Sequence, residues 1–165
     1  MSTCKSFAPI VDEHSRILIL GSMPGIKSLE QQEYYAHPQN RFWRLLALLL
    51  NEDVPQDYAA KQALMHKHHL ALWDTLGYCE RDGSLDSNIK NEAPNAVAEL
   101  AGELPHLQAV VCNGGKAGAA FKKYFAKKLP QQVQVFYLPS TSPANARLRL
   151  EDLAEHWQVI LQFLA

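Results

Sequence analysis

Ile17-Leu18-Ile19-Leu20 runs straight into Gly-Ser-Met-Pro-Gly, and that break restricts the fold more than anything else in the chain. A run this short, aliphatic and free of polar alternation reads as a strand buried on both faces, opening at its carboxyl end into a loop. The pattern returns at 109–112 before Asn-Gly-Gly-Lys and at 133–138 before Pro-Ser-Thr-Ser-Pro, and residues 70–74, Leu-Ala-Leu-Trp-Asp, form a further apolar run. Helical spacing falls between these runs, at 41–50, 58–69, 95–104, 116–125 and 150–164. The last of these places Leu153, Trp157, Ile160, Leu161 and Leu164 on one stripe. Strands alternating with helices predict an α/β fold, a three-layer α/β/α sandwich around a central, mostly parallel sheet of about four strands. Residues 1–15 read as an extended lead-in and 77–94 as a long polar loop.

Length agrees with one domain over 1–165, and a hydrophobic fraction of 47% with 20% charged residues is that of an ordinary globular chain. No apolar run approaches the ~18–20 residues of a membrane span, and the amino terminus lacks a signal-peptide pattern, so no membrane partner and a cytoplasmic location are expected. Three scattered cysteines, Cys4, Cys79 and Cys112, make neither a CxxC pair nor a disulfide framework, and are expected as free thiols. A net charge of −1 argues against whole-molecule attraction to nucleic acid but not against a local basic face. Lys116, Lys122, Lys123, Lys127, Lys128, Arg147 and Arg149 are candidates for such a face.

Loops that follow parallel strands meet at one sheet edge, so those after Leu20, Cys112 and Leu138 are expected to build one site. Asn-Gly-Gly-Lys fits either a plain turn or a phosphate contact through Lys116, but there is no GxxxxGK[ST] and hence no P-loop. His66, His68 and His69 have poor spacing for a metal on one helix face, and no metal is expected. Asp74, at a strand end, fits either a loop cap or a base. The first loop is richer. Tyr34, Tyr35 and His37 stand among Met23, Pro24, Pro38 and Asn40, and an aromatic face beside amides suits a planar polar ring such as a nucleobase. Packing of the two tyrosines onto the body is the competing reading, and Asn40 equally suits a helix cap.

Taken in order, GSMPG, YYAHPQNRFW, VCNGGKAG and LPSTSPANA resemble the successive motifs of the uracil-DNA glycosylase superfamily over nearly the whole chain. The similarity is greatest to its hypoxanthine (deoxyinosine) branch and next to its mismatch-specific uracil/thymine branch. That resemblance implies a monomeric DNA repair glycosylase, acting without a cofactor on double-stranded DNA and hydrolysing the N-glycosidic bond of a flipped deaminated base. Hypoxanthine is the expected base, with a mismatch uracil/thymine enzyme or a non-catalytic nucleic-acid or nucleotide-binding module as alternatives. It further implies a pocket floor from Gly21, Ser22, Met23, Pro24 and Gly25, stacking by Tyr35, and catalysis by Asn40. DNA contacts are expected from Ser140, Thr141, Ser142, Asn145 and Arg147 together with Lys116. In the mismatch branch an asparagine stands where this chain has Met23, and the histidine usual in the family's last motif is replaced here by Leu138-Pro139-Ser140.

Overall fold

The computed structural model describes residues 2–164. In chain order the elements are β1 (Thr3–Lys5), β2 (Ile17–Gly21), α1 (Ile26–Gln31), α2 (Phe42–Leu50), α3 (Tyr58–Lys67), β3 (Leu70–Asp74), β4 (Leu76–Glu80) and β5 (Lys90–Pro94). There follow α4 (Val97–Glu103), β6 (Ala109–Asn113), α5 (Gly115–Tyr124), β7 (Gln134–Leu138) and α6 (Leu150–Trp157), which tightens into a 3-10 turn over Gln158–Phe163. The four apolar runs form one sheet in the order β3-β2-β6-β7, with every pair parallel.

Side chains alternate across a strand, and here each face is covered. Ile17, Ile19, Leu70, Leu72 and Val111 pack against α2 and α6, whereas Leu18, Leu20, Ala71, Val110 and Cys112 pack against α4 and α5. Burial on both sides is why these strands show no polar alternation. From β2 the chain passes to β3 on one side, then returns to place β6 on the other. The crevice beyond the carboxyl ends of β2 and β6 is therefore the switch point where α/β sheets bind ligands.

The structure departs from the sequence pattern in several places. Residues 77–94 are not one polar loop: β4 and β5 pair antiparallel, and β1, from the supposed lead-in, pairs with β4 to complete a second three-stranded sheet. β5 is largely exposed, so it carries no apolar signature and owes its conformation to its partner. The final stripe also breaks. After Trp157 the 3-10 winding changes the residue period from 3.6 to 3, burying Ile160 and Phe163 and turning Leu161 outward to 37% exposure. Finally, the first loop contains the short helix α1, and the second long helix ends at Lys67, before His69 takes a positive φ of 60°.

Candidate active site

A cavity of about 770 Å³ opens beyond the carboxyl ends of β2, β6 and β7. The three loops expected to converge all line it, through residues such as Gly21, Tyr35, Asn40, Asn113, Ser140 and Arg147. A fourth wall, Ser84, Leu85 and Asp86, comes from the connection between β4 and β5, within the stretch 77–94. It is tied to the first loop by Ser22 Oγ donating to Asp86 (2.7 Å) and by the Ile26 amide donating to Ser84 Oγ (2.8 Å).

Tyr34 and Tyr35 divide the two roles left open for them. Tyr34 is buried, and its hydroxyl donates to the Ala8 carbonyl (2.9 Å), so it packs the loop onto the body. Tyr35, at a positive φ of 53°, turns toward the cavity and lies face to face with Phe42 at 4.1 Å between ring centroids. Phe42 covers one face of this ring, and the residue lines the cavity. Burial, reinforced by the nearby Asp74 carboxyl, raises the Tyr35 phenol far above its ordinary range and keeps it protonated.

Asn113 Nδ2 donates to the Tyr35 hydroxyl and to Thr141 Oγ1, each at 3.1 Å, while its Oδ1 accepts from the Thr141 amide (3.0 Å). Thr141 Oγ1 in turn donates to Asn40 Oδ1 (2.9 Å), which also accepts from the Phe42 amide (2.9 Å). One chain of bonds thus joins all three loops. It also fixes the Asn40 amide. Both donors must face oxygen, so Nδ2 is the atom left over, without a protein partner among the described residues, at the cavity wall. Asn40 therefore holds the helix start and offers a free N–H donor at once.

Its neighbours in Asn-Arg-Phe-Trp are scaffolding. The Arg41 guanidinium donates to the carbonyls of Ser142 (2.9 Å), Asn145 (3.0 Å) and Leu148, clamping the third loop, and Trp43 Nε1 donates to the Tyr34 carbonyl (3.0 Å). Arg81, 1% exposed, donates to the Pro24 carbonyl and props the Gly-Ser-Met-Pro-Gly loop from behind.

Asp74 closes the floor. It is 4% exposed, and its carboxyl accepts no hydrogen bond among the described residues; Oδ2 is buried outright without a partner. Burial pushes its pKa up to about 7, Asp86 adds to the rise, and Arg81 opposes it. Only glycine fits beside it: a Cβ on Gly21 would lie 2.6 Å from Asp74 Oδ1 and 2.9 Å from the Tyr35 hydroxyl.

Other expected site residues fall in different places. The residues of 21–25 all line the cavity, but the Met23 side chain is buried with Leu76, Cys79 and Ala120, so this position offers the pocket backbone. Thr141 is fully buried, so its side chain joins loops and cannot meet DNA. Lys116 is held 2.6 Å from Glu92 Oε1 and does not line the cavity; Gly114, two residues before it, has a φ of 98° and lies close against Ser140, a turn that packs two loops together. Ser140 and Ser142 hydroxyls accept from backbone amides within the third loop, at 3.0 and 3.1 Å. Asn145 Nδ2 donates to the Ser140 carbonyl (2.9 Å). Arg147 is exposed at the rim. Sequence reasoning did not identify Asn113, Arg41, Arg81 or Asp86. Only Asn113, a polar residue closing a buried strand, carried a visible signal.

Fold and pocket together define an α/β protein with a polar cavity, walled in part by Tyr35, between loops at the switch point of its sheet. The chain belongs to the uracil DNA glycosylase superfamily, whose model matches residues 8–165. Among curated proteins it is 34% identical over 160 residues to a hypoxanthine DNA glycosylase of Methanosarcina acetivorans, covering 96% of this chain and 98% of that one. It is 38% identical over 115 residues to a hypoxanthine DNA glycosylase of Methanosarcina barkeri, covering 69% and 73%. A solution NMR structure from Methanosarcina acetivorans, of a protein assigned as a uracil DNA glycosylase, superposes with a TM-score of 0.85 at 32% identity over 99% of both chains. No helix among the described residues is long and apolar enough to cross a membrane.

Proposed function

We propose that this protein is a monofunctional DNA N-glycosylase that flips a deaminated nucleotide out of double-stranded DNA and hydrolyses its N-glycosidic bond, with hypoxanthine as the base released. The observation that carries this reading is the placing of the Tyr35 ring beside Asn40, whose Nδ2 has no partner among the described residues, in a pocket closed by a buried carboxyl. Hypoxanthine as the base draws on the names of the two relatives.

The flipped base stacks on Tyr35, and extrusion costs a few kcal/mol, least for a mispaired base. As the bond from C1′ to the base stretches, positive charge builds on the sugar and negative charge on the ring. Asn40 Nδ2 is a pure donor in this arrangement, so it holds an oxygen, that of the attacking water or of the base, and takes no proton. A fixed donor of this kind is worth about 10²–10³ in rate. Backbone N–H groups of 21–25 supply further donors at the floor. Arg147 at the rim meets a phosphate, so binding weakens as salt rises. The protein works on DNA as a monomer.

Incubation with duplexes bearing hypoxanthine, uracil, xanthine or a thymine mismatch, followed by cleavage of abasic sites, tests the assignment. Hypoxanthine is expected to give the fastest cleavage. Preference for uracil would move the protein to mismatch-type repair, and binding without cleavage of any duplex would make it a binding module.

A further inference from the structure

We propose that Asp74 is the acid that delivers a proton to N7 of the departing purine, so that the base leaves neutral. This rests on the glycosylase reading above and names the group that serves its leaving base.

A buried carboxylate persists when N–H or O–H groups donate to it or a cation pairs with it. Asp74 has neither among the described residues: no donor reaches it, no ion pair includes it, and Oδ2 is sealed from solvent without a partner. The charged and titratable groups around it are Asp86 from the β4–β5 connection, Arg81 at the end of β4, and the Tyr35 and Tyr34 phenols of the first loop. Asp86 repels a second negative charge and both phenols stay protonated, while Arg81, which opposes the rise, donates to the Pro24 carbonyl and makes no hydrogen bond or ion pair with Asp74 among the described residues. The surroundings hold the neutral acid up to a pKa of about 7, and a base entering the cavity displaces water and holds it further.

A neutral carboxylic acid needs an acceptor for its proton, and Asp74 Oδ2 has no hydrogen-bond partner among the described residues. Asp74 lines the cavity beside Gly21, at the hydroxyl end of the Tyr35 ring, where the inner edge of a stacked base falls. A 6-oxopurine presents N7 and O6 on one edge as acceptors only. In the step, the bond between C1′ and N9 breaks with both electrons going to the ring. N7 takes the proton from Asp74, the water oxygen bonds to C1′, and the proton released by that water restores the carboxyl. Hypoxanthine and an abasic deoxyribose result, and Asp74 ends as it began. A pyrimidine has no N7, so the device favours purines.

The test is Asp74→Asn assayed in single turnover on two duplexes, one with deoxyinosine and one with its N7-methyl derivative, whose base already carries the positive charge and needs no proton. On deoxyinosine the variant is expected to lose on the order of 100-fold, and on the methylated duplex to stay nearly parental. The parent's rate on deoxyinosine should fall above pH 7 while the variant's is flat. A thermal melt at pH 8, where the variant should melt no lower than the parent, excludes loss through unfolding. Equal losses on both duplexes, or no loss on deoxyinosine, would overturn the role while leaving the glycosylase reading standing. A parent that releases nothing from deoxyinosine would remove the substrate reading and this role with it.

Discussion

Substituting Asn40 by aspartate separates two jobs that alanine confounds. Asn40 Oδ1 receives the Phe42 amide and the Thr141 hydroxyl at 2.9 Å each, while Nδ2 faces the cavity. Alanine deletes the acceptor at the start of α2 and strips a buried hydroxyl of its acceptor, together on the order of 2–3 kcal/mol of stability. Aspartate keeps that oxygen for both donors, so Asn40→Asp should melt close to the parent. What it loses is the N–H group. A carboxylate oxygen now stands where a donor has to hold water or base, and the expected fall in single-turnover base release is about 10²–10³-fold. Thermal melts and single-turnover cleavage of deoxyinosine duplexes, measured on the same preparations, read the two effects separately. An aspartate variant that folds and cleaves within a few-fold of the parent would refute the donor role and leave Asn40 a helix cap.

Three further expectations follow from the same geometry. Gly21→Ala drives a Cβ to 2.6 Å from Asp74 Oδ1 and 2.9 Å from the Tyr35 hydroxyl, so base release should collapse while DNA binding, measured by gel shift, persists. Tyr35→Ala should cost about 1–3 kcal/mol in kcat/KM through lost stacking, whereas Tyr35→Phe, which keeps the ring on Phe42, should be mild; equal damage from both would put the hydroxyl rather than the ring in charge. Asp74 makes stability depend on pH. Its folded pKa of about 7 exceeds the ordinary 3.8, so between these values the native state binds more protons and stability falls as pH rises. At ~1.4 kcal/mol per pH unit the full effect is on the order of 4 kcal/mol. Melting curves should therefore show Asp74→Asn gaining on the parent from pH 4 to pH 7 and holding a constant lead above it.

How far the sequence could be read follows from where each signal lies. β2, β3 and β6 are almost wholly buried and read as short apolar runs, and the half-exposed edge strand β7 still shows Val135, Phe136 and Leu138, so the sheet and its site edge were legible. β5 was not, because an exposed polar strand is defined by the partner it pairs with. Within the site the first loop stood out by its glycines, prolines and aromatics. The division between Tyr34 and Tyr35 did not, because it turns on a positive φ at a residue type that rarely adopts one. Asp74 was visible as a carboxylate at a strand end, but its chemistry depends on an absence of donors that only the folded neighbourhood reveals. Arg81 and Asp86 lay in a segment with no apolar period, and nothing in their spacing set them apart from solvated charges.

The central claim is that this pocket hydrolyses a glycosidic bond in DNA. It is tested most directly by incubating a deoxyinosine duplex with the protein and analysing both products by mass spectrometry. Hydrolysis predicts free hypoxanthine and an unbroken strand carrying one abasic deoxyribose in place of the deoxyinosine. Intact duplex, recovered bound to the protein with no base released, would contradict it.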